Sequence, residues 1–368
     1  MSAYEVLYQK YRPKNLDQVC GQEHIVKTLR NSIKENRIAN AYLFTVIHGT
    51  GKTTISRILS CMLNCDNGPT ENPCGECPNC KKIIAGKASD VLEVDAASNR
   101  GIDNIRALRD KARYAPSEMR SKIFIIDEAH QLTNEASNAL LKILEEPPKN
   151  LHFCLCTTEP RAIIGTIKSR CQHFAVKVIP QQKLFEYLVP IIKKENLKID
   201  KDALKMIVKI AGGSMRNALR SLESVWNYSG NEKITTQAVS EVLGVSDTKK
   251  IFELIDLSIK RDTTGGIKLI NDMAVNGMDL SSFLIDFTSH IRNVLLLNTS
   301  EDTSVVDATE EEISHLKEQS RSINIAKSLR IFNILEEACR GSNLNLQAQS
   351  VLEVCFLRAV TIIHEQRT

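Results

Sequence analysis

The chain has 368 residues, 42% of them hydrophobic and 25% charged, with a formal net charge of +4. These values suit a globular protein of two or three domains, and the charge is too mild to argue nucleic-acid binding from composition. No run of ~18 apolar residues exists to cross a membrane, the opening Met1-Ser2-Ala3-Tyr4-Glu5 has no signal-peptide character, and 11 cysteines in a chain this long fit a reducing compartment, so the cytosol is the expected setting.

In chain order, the first element with chemical content is a short apolar strand, Ala41-Tyr42-Leu43-Phe44. The turn Gly49-Thr50-Gly51-Lys52-Thr53-Thr54 follows it, and a helix is predicted over Thr53–Leu63. A strand, a glycine turn and a helix in that order form a phosphate-binding loop, written G-x-x-x-x-G-K-[ST]. Amides of the turn and of the helix N-terminus point at phosphate oxygens, and the helix dipole favours their charge. Lys52 would reach the β- and γ-phosphates, and Thr53 would place a hydroxyl on Mg²⁺. Val46 stands where the first glycine belongs. A β-branched residue is strained there if φ must be positive; if φ is negative, only the first turn changes shape. The amides from Gly49 onward serve in either case, so nucleotide binding is expected while the affinity stays open.

Next come Cys65, Cys74, Cys77 and Cys80, in the pattern C-x8-C-x2-C-x2-C. Four thiolates so spaced suit a tetrahedral Zn²⁺ with no position left for water, hence a structural metal. An iron–sulfur cluster is the alternative, although the continuing C-x3-C-P is absent. The other cysteines mostly lie in apolar runs and read as reduced core residues.

Strands are predicted at Val91–Asp95, Ile123–Asp127, His152–Thr157 and Gln172–Val176. Continuous apolar runs of this kind belong to a parallel sheet buried on both faces. The second ends in Asp127-Glu128, at the carboxyl edge where such sheets bind ligands. Asp127 would help hold Mg²⁺, and Glu128 would polarise the attacking water. The basic segment containing Lys111, Arg113, Arg120 and Lys122 reads as a solvated face before it reads as a DNA contact. Beyond Pro180 the pattern turns helical, broken at Gly212-Gly213 and Ser229-Gly230. Two late stripes, Ile331, Ile334, Leu335, Ala338, Cys339 and Leu352, Cys355, Phe356, Ala359, Ile363, each share one helix face and read as bundle core, with some subunit-contact surface open.

Several motifs now agree. Tyr11-Arg12-Pro13-Lys14 with Gly21-Gln22, the loop and the cysteine spacing resemble one family, as do Asp127-Glu128-Ala129-His130, Asn138-Ala139-Leu140-Leu141-Lys142 and Leu144-Glu145-Glu146-Pro147-Pro148. Thr157-Thr158-Glu159-Pro160, Ser169-Arg170-Cys171 and Gly213-Ser214-Met215-Arg216 complete the set. The chain resembles the γ/τ subunits of bacterial DNA polymerase III clamp loaders, which are AAA+ ATPases.

The resemblance implies an α/β AAA+ (P-loop) domain with a parallel sheet over residues 1–178, carrying a zinc module at about 61–84. It further implies a small helical lid domain over 179–243 and an all-α collar for oligomerisation over 244–368. ATP would lie between Tyr11, Arg12 and Pro13 on the base side, the turn Gly49–Thr54, and Arg216 from the lid. Thr157 rather than Thr158 would sense the γ-phosphate, and Arg170 would act in trans on a neighbour's nucleotide. Implied partners are other clamp-loader subunits in a hetero-oligomeric ring, the sliding clamp and primer–template DNA, with no membrane. The family usually has Gly-Pro-Arg where Val46-Ile47-His48 stand, and Asp where Asn217 stands. The sequence ends near the end of the collar, so tethering through the longer τ-type extension is not expected of these residues. Two readings compete. A non-hydrolysing paralogue would keep only the arginine finger, and Val46 points that way while Lys52, Thr53, Asp127 and Glu128 point against it. A helicase needs a second strand-rich motor domain, which the helical pattern beyond residue 180 does not supply.

Overall fold

The computed structural model describes residues 4–45, 49–243, 248–300, 306, 310–340 and 344–365. They fall into two compact units, Met1–Thr235 and Thr236–Thr368.

The first unit is built on a five-stranded sheet: β1 (Ala41–Thr45), β2 (Val91–Asp95), β3 (Lys122–Asp127), β4 (Leu151–Thr157) and β5 (Gln172–Ala175), in the order β2-β3-β4-β1-β5. Every strand pair is parallel. Side chains alternate across a pleated sheet, so each face collects its own core. Tyr42, Phe44, Ile123, Ile125, Cys154, Cys156 and Phe174 pack on one side, and Ala41, Leu43, Phe124, Ile126, Phe153 and Leu155 on the other. Burying a large side chain of this kind contributes about 1.5–3 kcal/mol. The rings of Tyr42, Phe44 and Phe174 stack across β1 and β5 with centroids 5.6–6.3 Å apart. β1 and β3 are separated by β4, and the register sets Thr45 beside Thr157 and Asp95 beside Asp127. The loops that leave β1 and β3 therefore open on either side of the end of β4, the crevice such sheets use for ligands.

After the short α1 (Leu7–Lys10), helices α2 (Glu23–Lys34), α3 (Lys52–Asn64), α4 (Pro78–Ile84), α5 (Ile102–Ala112), α6 (Asn134–Glu145) and α7 (Gly165–Lys168) lie around the sheet. Three helices follow it: α8 (Gln181–Lys194), α9 (Lys201–Ile210) and α10 (Met215–Ser229). Each has a strongly one-sided pattern, with Leu184, Leu188 and Ile191, then Ala203, Leu204 and Ile207, then Ala218, Leu219 and Leu222 turned inward.

The basic segment before β3 serves the fold. The Lys122 ammonium is buried and donates to the carbonyls of Lys111, Tyr114 and Ala115 at 2.8–3.3 Å, closing the end of α5. Arg120 donates to the carbonyls of Cys65 and Asp66 at 3.1 and 2.7 Å. Of the four basic side chains singled out, these two are committed inside the unit.

The second unit is helical: α11 (Thr236–Leu243), α12 (Thr248–Lys260), α13 (Thr263–Val275), α14 (Leu280–Thr299), α15 (Glu310–Ser322), α16 (Ile325–Arg340) and α17 (Leu344–His364). Both late stripes enter its core, with Ile331, Leu335, Leu352, Cys355, Phe356, Ala359 and Ile363 buried and Ile334, Ala338 and Cys339 partly so. Gly266 of α13 lies flat on the Phe356 ring, where a Cβ would come within 1.9 Å of Cζ. Among the described residues no helix is long and apolar enough to cross a membrane.

A polar knot interrupts this apolar packing. His290 Nε2 meets Gln319 Oε1 at 2.8 Å, and Gln319 Nε2 donates to Asp256 Oδ1 at 2.6 Å and to the Phe252 carbonyl at 3.0 Å. His315 reaches the other Asp256 oxygen at 3.0 Å. Burial pushes the His290 imidazole down to about 4, against a partial offset from its bond to Gln319. A histidine whose folded pKa is depressed leaves stability intact above about pH 6.5, and stability falls as pH drops towards about 4. The chain is therefore expected to be about 2 kcal/mol less stable at pH 5 than at pH 7 from this group. Urea unfolding of wild type and His290→Gln at both pH values checks this, and an unchanged pH difference in the variant contradicts it.

Candidate functional site

A cleft of about 380 Å³ lies at the carboxyl edge of the sheet. Its walls include Tyr8, Tyr11, Arg12 and Pro13, the turn Gly49–Thr54, Asp127 and Glu128, and Met215, Arg216 and Leu219 of α10.

The floor is the start of α3. Gly51 caps this helix at φ +109°, a left-handed geometry that suits glycine, and a Cβ there would meet nothing within 4 Å. The first turn of α3 carries no acidic residue of its own, which suits the binding of a negative group at the positive end of its dipole. Gly49 is also left-handed, at φ +81°, and is pressed against the start of α10. A Cβ there would stand 2.2 Å from Ser214 Oγ and 3.4 Å from Arg216 Cβ, and the Arg216 amide donates to the Gly49 carbonyl at 3.4 Å. The turn thus touches the helix that bears Arg216. Val46, Ile47 and His48, including the departure from the first glycine, lie outside the described residues.

Two pairs join the loop to the end of β3. Thr53 Oγ1 donates to Asp127 Oδ2 at 2.9 Å, and Lys52 Nζ, only 6% exposed, stands 3.6 Å from Glu128 Oε1. Cis oxygens of an octahedral Mg²⁺ at ~2.1 Å lie roughly 3 Å apart, so the hydroxyl and carboxylate are hard donors at a fitting spacing. Glu128 itself sits at φ +48°, the kind of strained backbone that marks functional positions. Thr158 Oγ1 donates to Glu128 Oε2 at 3.0 Å, and His130 Nδ1 lies 3.4 Å from the same oxygen. The Thr157 hydroxyl is wholly buried, accepts the Glu159 amide at 3.0 Å and meets His130 Nδ1 at 3.0 Å. The two neighbouring threonines therefore face different groups, and it is Thr158 that touches Glu128.

On the far wall, Arg12 Nε donates to Thr54 Oγ1 at 3.1 Å. Burial, with a contribution from nearby Arg57, lowers the Arg12 guanidinium to about 10, and it stays cationic at neutral pH. Tyr11 donates its hydroxyl to Glu195, and burial together with that carboxylate pushes the phenol up to about 12. The Arg216 guanidinium lies 5.3 Å from the centre of the Tyr8 ring. Arg170 is elsewhere, on the surface after α7, with Nη2 2.7 Å from Glu145 Oε1. It does not line this cleft, so the structure brings together every predicted nucleotide residue except Thr157 and Arg170. Sequence reasoning missed Tyr8, Arg57, Glu93, Glu195 and Glu223. The Arg57–Glu93 ion pair sits on the cleft wall, but single long-range partners leave no periodic signal.

The four thiols converge as well. The sulfurs of Cys65, Cys74, Cys77 and Cys80 all lie within 4.8 Å of one another, with Cys65 and Cys74 at 3.6 Å. Tetrahedral sulfurs at ~2.3 Å from zinc stand roughly 3.8 Å apart, so the set fits that ion. The Cys77 amide points at Cys74 Sγ and the Cys80 amide at Cys77 Sγ, each at 3.3 Å, outer hydrogen bonds of the kind that orient metal-binding thiols.

Known proteins resemble the chain over most of its length. A family model described as DNA polymerase III, delta subunit matches residues 21–180, and one described as DNA polymerase III subunits gamma and tau domain III matches residues 234–366. The chain is 39% identical over 298 residues to DNA polymerase III subunit tau of Bacillus subtilis (strain 168), covering 81% of this chain and 53% of that one. It is 36% identical over 335 residues to subunit gamma/tau of Mycobacterium tuberculosis (strain ATCC 25618 / H37Rv), covering 90% and 58%. Against subunit gamma of Buchnera aphidicola subsp. Schizaphis graminum it is 35% identical over 363 residues, covering 98% and 99%. The chain thus spans about half the length of the tau and gamma/tau relatives and nearly all of this gamma relative. With both halves matched and the loop, acid pair and cysteine set in place, the chain belongs to the DNA polymerase III gamma/tau family.

Proposed function

We propose that the chain is an ATP-driven motor subunit of a clamp loader, acting with other subunits to place a sliding clamp on primed DNA. The observation that carries this reading is the pairing of Thr53 with Asp127 and Lys52 with Glu128, in one cleft that Arg216 also lines. A degraded, non-hydrolysing loop has no need to keep both pairs, so hydrolysis is favoured over the purely structural role.

In this reading the amides from Gly49 to Thr54 cradle the triphosphate and Lys52 adds charge at its β- and γ-phosphates. Thr53 and Asp127 would hold Mg²⁺, which when bound neutralises phosphate charge. Glu128 polarises the attacking water, held in orientation by the hydroxyl of Thr158 and the charge of Lys52. Arg216 approaches the phosphates from the lid, and its amide contact with Gly49 ties lid position to the loop. Tyr11, Arg12 and Pro13 wall the base. Arg170, surface-placed and outside its own cleft, serves a neighbouring subunit's nucleotide in trans. A division into 1–178, 179–243 and 244–368 gives motor, lid and collar, with the collar joining the ring. DNA is gripped through its phosphates. Cys65, Cys74, Cys77 and Cys80 would hold a structural Zn²⁺.

The test is ATP turnover by the complex reconstituted with partner subunits and clamp, with and without primed DNA. Stimulation of several-fold by DNA, lost in Lys52→Ala, is the expected result. Equal rates in all arms contradict the motor role.

A further inference from the structure

The segment ahead of the phosphate loop is fastened to the helical lid at both ends. Tyr4 donates its hydroxyl to Glu223 Oε1 at 2.6 Å, and the Leu7 amide donates to the same oxygen at 3.1 Å. Glu223 belongs to α10, two turns beyond Arg216, and is only 8% exposed. At the other end Glu195 accepts from the Tyr11 hydroxyl and pairs with Lys10 Nζ at 2.7 Å. Between these anchors Leu7 is buried and supplies the packing, while Tyr8 stays partly open on the cleft wall, with its ring facing the Arg216 guanidinium. One residue past Tyr11, Arg12 bonds Thr54 of the loop helix.

We propose that Tyr8 is a positioning residue for ATP binding that acts through Arg216, its ring holding the lid's guanidinium over the phosphate end of the cleft. This rests on the reading of the cleft as an ATP site. A long flexible arginine loses rotamer freedom when it grips a phosphate. A ring face that already confines the guanidinium, through the attraction between cation and ring, removes part of that cost. Among the described residues the Tyr8 hydroxyl accepts only from Gln9 Nε2, at 3.3 Å, so the ring and not the hydroxyl faces Arg216.

The experiment is ATP affinity of the full chain for wild type, Tyr8→Ala and Tyr8→Phe, each also in an Arg216→Ala background, with Lys52→Ala and thermal midpoints alongside. Tyr8→Ala is expected to weaken binding by roughly 3- to 30-fold, and Tyr8→Phe to stay within about twofold of wild type. In the Arg216→Ala background the loss from Tyr8→Ala should vanish, an outcome that simple destabilisation would not give. No loss, or an equal loss in both backgrounds, overturns the proposal; the latter puts the ring on the nucleotide itself. If wild type binds ATP and Lys52→Ala does not, such a failure sinks the Tyr8 role alone. If wild type fails to bind at all, the ATP-site reading falls with it.

Discussion

Glu128→Gln is expected to slow ATP hydrolysis by roughly 10²- to 10⁴-fold, the usual worth of a positioned general base, while triphosphate affinity stays within about threefold. Glutamine keeps the shape and can still accept the Thr158 hydroxyl that now reaches Glu128 Oε2 at 3.0 Å. It cannot draw a proton from water. Lys52, 3.6 Å from the other carboxylate oxygen, keeps its charge for the phosphates. Lys52→Ala should behave in the opposite way, losing affinity first. Single-turnover hydrolysis and equilibrium binding, measured on the same preparations, separate the two. An unchanged hydrolysis rate in Glu128→Gln would move the base to another residue.

Removing a metal from the four-cysteine site is expected to have the second large effect. Cys65 and Cys80 are fully buried and belong to the same core cluster as Cys61, Met62 and Ile83, so the site is part of the packing around the end of α3. Without a cation, four converging sulfurs must stay protonated or repel one another. Metal binding of this kind contributes several kcal/mol directly to folding, so a strong chelator, or Cys77→Ser, is expected to lower the thermal midpoint by roughly 10 °C or more. Metal analysis should find zinc with the native chain and no visible absorption from an iron–sulfur cluster. A chain that contains no zinc and melts unchanged in chelator would remove the structural metal.

Much of the architecture was legible in the residues because buried strands of a parallel sheet are unbroken apolar runs. The Ala41, Val91, Ile123, His152 and Gln172 segments all became strands, and their ends moved by one residue at most. The loop helix, predicted from Thr53 to Leu63, runs Lys52–Asn64. The cysteine spacing was equally readable, since four thiols so close in sequence have little choice but to meet. What stayed hidden depends on distant single partners. Glu223 meets Tyr4 across 219 residues and Glu195 meets Tyr11 across 184, and neither acid belongs to any local pattern. The roles of Thr157 and Thr158 could not be separated by sequence either, because adjacent strand-end residues point opposite ways and only the three-dimensional neighbours of each decide what it touches. Lys122 looked like surface charge, yet its ammonium turned inward to satisfy helix-end carbonyls.

The amides running from Gly49 into α3 are expected to grip a triphosphate. Equilibrium binding of a non-hydrolysable ATP analogue to the purified chain, with and without Mg²⁺ and beside Lys52→Ala, tests it most directly. One analogue per chain, bound more tightly with Mg²⁺ and at least about tenfold more weakly by Lys52→Ala, is the predicted result. No saturable binding, or equal affinity in the variant, would contradict it.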